Sequence, residues 1–461
     1  MITSLRIRGF KSWADTRELR FGKLTGFFGS NSSGKTGLVQ LPLLLKQTAE
    51  SADRAAVLDL GSKHVVVDIG GWKDILCRRP QSAELSIQFS WRRAKPLSIR
   101  APEDRSRIWL SGTDMRFETR IQVDNGTAEV AEMAYQFQDF RFSMERGGRT
   151  GYEIKATGPR KFAFVKSQGR PFSRIPAPVK CYGFPDQVRA GWQNAGFLAD
   201  LTLEFEQELA RLYYLGPLRD YPHREYAWTG TRPSDVGKNG ERAVEALIAS
   251  RVGAKEPGWG GLTLEEVVAR WFGTLGLATA FHVEEIAKDT SLYRVSISTS
   301  KEAARVLITD VGFGVSQILP VIVLCYYAPR GSTIILEQPE IHLHPAVQMG
   351  LADVLVDAIK KRQVQIIVES HSEYLLRRIQ RRIAEGRFAA SDTSLYFCKM
   401  VNGESVAEPL NLDLYGSISN WPRDFFGDEM GEIAEMSKAA GRRRRKVNHS
   451  CEQSLLTPTS R

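Results

Sequence analysis

Gly29-Ser30-Asn31-Ser32-Ser33-Gly34-Lys35-Thr36 satisfies the pattern G-x-x-x-x-G-K-[ST] at every position. The glycines let the loop fold around an anion and bring backbone N–H groups against phosphate oxygens. The helix that opens at Gly34 turns its positive end toward the same place. Lys35 is placed to reach the β- and γ-phosphates, and the Thr36 hydroxyl to help hold Mg²⁺. By chance the pattern arises in a chain of this length about one time in fifty. Its flanks add to it: Lys23 to Phe28 reads as a buried strand, and Gly34 to Lys46 as a helix with Leu38, Leu41, Leu44 and Leu45 on its apolar side. Pro42 is expected to kink that helix. The residues Gly29, Ser30, Asn31, Ser32, Ser33, Gly34, Lys35 and Thr36 are therefore the expected nucleotide site.

A second element lies three hundred residues downstream. Thr333-Ile334-Ile335-Leu336-Glu337-Gln338-Pro339-Glu340 is an apolar strand that ends in acid, the form of a Walker B segment, and a carboxylate there can coordinate Mg²⁺ directly or through water. Another buried strand, Gln365 to Val368, ends in Glu369-Ser370-His371-Ser372. A histidine just past a strand of an α/β sheet lies at the edge where ligands bind. His342 and His344 have no third metal ligand nearby and read as structural.

Composition bounds the rest. A length of 461 residues suggests roughly three domains. With 42% hydrophobic and 25% charged residues, a mainly disordered, collagen-like or disulfide-stapled chain is excluded. The longest clean apolar run, Ile318 to Ala328, is about half the twenty residues a membrane span needs. Residues 1–7 alternate polar and apolar without a signal peptide's continuous apolar stretch. Five scattered cysteines without a C-x-x-C pair fit a reducing compartment, and a cytoplasmic protein is expected. Half of the net charge of +10 sits in Arg442-Arg443-Arg444-Arg445-Lys446. Such a run either binds a phosphate backbone or is a solvated tail.

The expected organisation is a first nucleotide-binding part over residues 1–80, a β-rich insert over 81–200 and a helical, turn-rich region over 201–300. A second nucleotide-binding part follows over 301–400, then a terminal segment over 401–431 and a basic tail over 432–461. The insert is read from period-two alternation such as Phe117 to Val123 and Tyr135 to Phe140, and from the hairpin turn Asp124-Asn125-Gly126. Gln317 to Tyr327 reads as a buried helix.

Four ordered segments resemble the heads of SMC, RecF and OLD-type ATPases: Leu5-Arg6-Ile7-Arg8-Gly9-Phe10-Lys11-Ser12, Gly29 to Thr36, Glu337-Gln338-Pro339-Glu340-Ile341-His342-Leu343-His344-Pro345, and Glu369-Ser370-His371-Ser372. These are ABC-like heads, often described as AAA family ATPases. The resemblance implies an α/β P-loop NTPase fold, an ABC-type head interrupted by the β-rich region, with ATP and Mg²⁺ as cofactors and Thr36 and Glu337 on the metal. It also implies a homodimer or higher oligomer in which the signature segment of one subunit closes over ATP on the other. Val311-Gly312-Phe313-Gly314-Val315-Ser316-Gln317 resembles that segment, with Gly314 and Ser316 as phosphate contacts, and His371 would sense the γ-phosphate. The glutamine of the usual lobe hinge has no counterpart in Val67 to Asp74. Segment 420–430 looks like the ending of many bacterial members encoded beside phage-defence genes.

One departure stands out. Related ATPases commonly carry Asp-Glu where this chain has Glu337-Gln338. Glutamine cannot accept a proton at neutral pH, although it can orient a water, as in some GTPases. Slow hydrolysis is the expectation, with Gln338, Glu340 and His371 as the catalytic set. The 90 residues after His371 contain no D-x-D pair, so a nuclease or other effector is expected as a separate chain. Two alternatives stay open: a scaffold glued by ATP with incidental hydrolysis, and a RecF-like DNA-binding repair ATPase using the basic tail together with Arg377, Arg378, Arg381 and Arg382. No membrane partner is expected.

Overall fold

The computed structural model describes the chain except residues 62–65, 78–83, 102–105, 148–150, 161, 169–173, 253–258, 288–289, 301–302, 423–424, 426–433 and 444–461. In chain order the first elements are β1 (Ile2–Phe10), β2 (Trp13–Asp15), β3 (Leu19–Arg20), β4 (Leu24–Gly29), α1 (Lys35–Glu50) and α2 (Trp72–Ile75). Next come β5 (Glu84–Arg100), β6 (Ile108–Asp124), β7 (Thr127–Phe137), β8 (Phe140–Gly147), β9 (Gly151–Thr157), α3 (Asp186–Gly191) and α4 (Leu198–Ala210). The middle holds β10 (Leu212–Leu215), β11 (Tyr226–Ala227), α5 (Ala243–Ala249), α6 (Leu264–Thr274), β12 (Ala280–Glu285), β13 (Leu292–Ser298) and β14 (Val306–Leu307). The last are α7 (Phe313–Tyr327), β15 (Thr333–Glu337), α8 (Pro345–Arg362), β16 (Gln365–Glu369), α9 (Glu373–Ala384), β17 (Thr393–Val401) and β18 (Glu404–Pro409).

The central sheet runs β10-β15-β16-β4-β17-β18, parallel throughout except for the final antiparallel pair. β4 comes from one end of the sequence and its neighbours β16 and β17 from the other. The near-continuous apolar runs of β15 and β16 follow from burial on both faces, as parallel strands require. Ile335, Ile367 and Phe27 face one hydrophobic core with α1, α4 and the antiparallel sheet. Ile334, Leu336, Ile366, Val368 and Leu24 face the other, built from α5 to α9. In that second core α7 is buried along almost its whole length, which accounts for the apolar run at Ile318–Ala328 without any membrane. Among the described residues no helix is long and apolar enough to cross a membrane.

The β-rich stretch is continuous with the start of the chain. β1 pairs antiparallel with β5 (Leu5 opposite Phe89), and the order β2-β1-β5-β6-β7-β8-β9, with β3 on β1, forms one eight-stranded sheet. Phe89, Trp91, Phe117 and Tyr135 from this sheet pack around Phe205 of α4. A smaller antiparallel sheet joins β11, β13, β12 and β14, with Ser296 of β13 opposite Leu307 of β14.

Two local expectations are refined. The first helix passes through Pro42 and continues to Glu50, with Pro42 buried inside it. The buried helix starts at Phe313, earlier than Gln317, because Gly312 serves as its N-cap. The chain divides into Met1–Asn420 and Trp421–Arg461. In the second unit residues 434–443 are helical and exposed. The rest of the basic run, residues 444–446, lies outside the described residues, as does 426–430 of the terminal segment.

β4 and β17 meet so closely at the end of β4 that Gly29 (φ 137°) has no room for a side chain: a Cβ there would stand 2.0 Å from the Cys398 carbonyl oxygen. Gly126, at φ 82° in the β6–β7 turn, has open space. Gly29→Ala is expected to lower unfolding free energy by about 3 kcal/mol, combining backbone strain with overpacking. Gly126→Ala should cost only about 1 kcal/mol. Urea denaturation of the two variants checks the difference.

Candidate nucleotide-binding site

The loop between β4 and α1 presents the residues expected to cradle phosphate. Gly34 adopts the left-handed conformation (φ 87°) as the cap of α1, and Ser32 is left-handed too (φ 58°). Trp13 Nε1 donates to the Gly34 carbonyl at 3.0 Å, and Ser405 of β18 closes over Gly34 while pairing with Ser12 at 2.6 Å. The loop is thus clamped from β2 and β18. Lys35 is 3% exposed and spends its ammonium on the loop's own oxygens: Ser30 O at 2.7 Å, Gly29 O at 3.2 Å and Ser33 Oγ at 3.3 Å. Burial lowers its pKa, and nearby Glu369 opposes that shift.

Parallel register places the acids beside it. Glu337 and Glu369 are partners at the ends of β15 and β16, and Glu369 in turn sits opposite Phe27 of β4. Thr36 Oγ1 donates to Glu369 Oε1 at 3.1 Å, which joins the phosphate loop to the third strand. Glu340 accepts from the His371 backbone N–H at 2.6 Å. All three carboxyls are buried. Burial first, then the charge of Glu369, pushes Glu337 up to about 7. Burial also raises Glu340 and Glu369. Burial and the Lys35 charge lower the His371 pKa, against a hydrogen bond to the Gly29 backbone that raises it, which favours the neutral ring.

The fold therefore gathers Gly29, Ser30, Ser33, Gly34, Lys35, Thr36, Glu337, Glu340 and His371 at one sheet edge. Gln338 follows directly, held left-handed (φ 43°) with its N–H on the Glu369 carbonyl at 2.8 Å. Gly314 and Ser316 lie elsewhere, in the first turn of α7 rather than before it. Gly314 packs on His342 O and Leu343, and the Ser316 hydroxyl turns back onto Phe313 O at 2.7 Å. Two further histidines of these segments have structural contacts: His344 caps α8 by accepting from Ala346 N–H, and His342 meets the Phe313 ring at 5.3 Å. Each of Arg377, Arg378, Arg381 and Arg382 faces a carboxylate, from Glu373, Asp353 or Glu385, so this cluster offers little free positive charge.

Four neighbours escaped the sequence reading. Glu369 was within a recognised segment, yet only the register shows it bonded to Thr36. Tyr214, at the end of β10, donates to Glu337 Oε1 at 3.0 Å. Arg219, in the turn after β10, reaches Glu337 O at 3.4 Å. Lys11, hydrogen-bonded to Gln40, attracts the Glu337 charge. The strand end Leu212-Tyr213-Tyr214-Leu215 followed by Gly216-Pro217-Leu218-Arg219 was the available signal for two of them.

The residues fit a magnesium nucleotide. Lys35 is bonded to oxygens that phosphate oxygens can replace, and Glu340 Oε2 and Glu369 Oε2 are buried without a hydrogen-bond partner. Among the described residues no cluster of three or more His, Cys, Asp or Glu side chains forms a metal cage. Mg²⁺ does not need one, since it keeps waters and takes one or two protein oxygens beside the phosphates. Thr36, Glu337 and Glu369 are the side chains placed to serve.

Residues 276–376 match the family model described as an AAA ATPase domain, and residues 389–436 match one described as a protein of unknown function, DUF3696. Similar solved structures include the SMC head domain from Thermotoga maritima, at 11% identity and TM-score 0.42, covering 89% of this chain and 99% of that one. An SmcHead bound to the C-winged helix domain of ScpA matches at 12% identity and TM-score 0.45, over 90% and 98% of the two chains. A Smc head domain with an extended coiled coil, bound to the C-terminal domain of ScpA derived from Pyrococcus furiosus, matches at 11% identity and TM-score 0.41, over 89% and 96%. No curated protein matches the chain.

The raised Glu337 carboxyl has a pH signature. Its folded pKa near 7 exceeds the ordinary 4.5, so the protonated form is the stable one in the fold. That contribution is complete below about pH 4.5 and is lost as pH rises through 7. Without nucleotide, Glu337→Gln is expected to melt about 2–4 °C above the wild type at pH 8, the gap closing toward pH 5.5. Thermal melts across that range check it.

Proposed function

We propose that this chain, whose residues 276–376 match an AAA ATPase domain, is an ABC-like head that binds ATP and Mg²⁺ at the Gly29–Thr36 edge, hydrolyses ATP slowly, and uses the bound state to close two copies onto each other. The observation that carries this reading is the convergence of Lys35, Thr36, Glu337, Glu369 and His371 on one sheet edge. Lys35 holds the β- and γ-phosphates and Thr36 and Glu337 the metal, with Glu369 behind them. His371 reports the γ-phosphate through its place beside Gly29.

Slow turnover follows from Gln338. It can orient a water but cannot take its proton, and general-base assistance is typically worth about 10²–10⁴ in rate. Glu340 is the substitute carboxylate on the same segment, its Oε1 accepting from the His371 N–H and its Oε2 open. Closure of two copies is supported by the N-terminal turn of α7, where Phe313 is 38% exposed and Gly314 and Ser316 lie within one turn of it. The difference in ATP affinity between open and closed states is then the energy source for gating a partner. We place that partner as a separately encoded effector such as a nuclease, and the setting as cytoplasmic antiphage defence, on the resemblance of segment 420–430.

Gln338 also favours a second reading, an ATP-glued scaffold in which hydrolysis is incidental. The two separate on turnover. Lys35→Ala should weaken ATP binding about 100-fold or more and leave the protein monomeric in light scattering with ATP. Gln338→Glu should raise kcat about 10²-fold and shorten the life of the ATP-bound dimer. A wild type that already turns over many ATP molecules per second contradicts the slow-hydrolysis reading. A Gln338→Glu variant with unchanged rate favours the scaffold.

A further inference from the structure

Among the described residues, Arg219 is the one buried cation at this edge that no motif assigns. It is 8% exposed, and its Nε and Nη1 are buried without a hydrogen-bond partner. Among the described residues its hydrogen bond goes to a peptide oxygen, Glu337 O at 3.4 Å, and to no carboxylate. A guanidinium present only to neutralise Glu337 and Glu340 would pair with their oxygens in the fork geometry that suits carboxylates. Buried donors left open in this way call for a missing partner, and the same arrangement leaves Glu340 Oε2 and Glu369 Oε2 open as well.

The position is built. Tyr214 lies opposite Ile335 and Leu215 opposite Leu336, so the turn that follows emerges at the edge where Glu337 ends. Gly216 N–H bonds Lys238 O at 2.7 Å and Asp220 N–H bonds Asn239 O at 2.9 Å, which fixes the turn on both sides of Arg219. Just beyond, Tyr221 meets the Phe313 ring at 5.6 Å, at the start of the signature helix. The guanidinium thus stands on the Glu337–Glu340 side of the site, with His371 across Glu340 and the phosphate loop behind Glu369.

We propose that Arg219 is a γ-phosphoryl ligand supplied by the same chain, its open N–H groups donating to oxygens of the terminal phosphate. The inference rests on the ATPase reading above and deepens it. A planar fork matches two phosphate oxygens and, unlike a neutral hinge side chain, carries charge to where charge is greatest in phosphoryl transfer. ADP has no oxygens at that place. Arg219 therefore separates ATP from ADP, and the turn that carries it relays the difference to Tyr221 and α7.

Calorimetric binding of Mg²⁺-ADP and of a non-hydrolysable Mg²⁺-ATP analogue to full-length wild type, Arg219→Met and Arg219→Lys tests this, with melts of each protein alone. Arg219→Met should hold ADP within about threefold and lose about tenfold or more in affinity for the analogue. Arg219→Lys keeps a point charge without the fork and should lose about threefold of the ATP-over-ADP preference. Loss of both nucleotides alike, or of neither, in Arg219→Met would show a structural or water-bridged cation and overturn the assignment. If Arg219→Met does not fold, an unaltered preference in Arg219→Lys overturns it. A wild type that binds neither nucleotide would sink the ATPase reading itself rather than the role of this residue.

Discussion

Three carboxylates, Glu337, Glu340 and Glu369, are buried at one end of a parallel sheet, and they repel one another there. Charges taken out of water in this way are stable only when paired, protonated or bound to a metal. The chain answers with Lys35, Lys11 and Arg219, with the Tyr214 and Thr36 hydroxyls, and with a Glu337 carboxyl that keeps its proton to about pH 7. In the proposed function, magnesium and a triphosphate would complete the balance by bringing a divalent cation to the acids and anionic oxygens to the cations. Any ligand that does so adds to stability by its affinity for the folded form.

The site exists because distant parts of the chain are neighbours in one sheet. β4 carries the phosphate loop, β15 and β16 carry the acids, β10 carries Tyr214 and the turn with Arg219, and β17 seals the loop at Cys398. Their alternate side chains enter two different cores, so the sheet is fixed from both faces. The site stands on strand ends, and the turn after β10 meets the start of α7 through the Tyr221–Phe313 ring contact.

Much of this was legible in the sequence. Phosphate loops are written in consecutive residues, and buried parallel strands are written as apolar runs, so β4, α1, β15, β16 and the positions of Lys35, Glu337 and His371 could be read directly. The length of α7 was harder, because glycines at 312 and 314 mimic a loop when one of them is a cap. What stayed hidden was pairing. The bond between Thr36 and Glu369 depends on the order of three strands, and the place of Arg219 depends on β10 lying next to β15. Neither adjacency leaves a local pattern. The continuity of β1 with β5 was hidden for the same reason, since strand pairing across eighty residues has no period.

Hydrogen exchange of the full chain with and without Mg²⁺-ATP tests the central claim most directly. Protection is expected to rise together in peptides covering 29–40, 334–342 and 369–373, while β6 to β8 remain unchanged. Bound nucleotide that protects the first of these segments and leaves the other two as they were would contradict a single site assembled from both ends of the sequence.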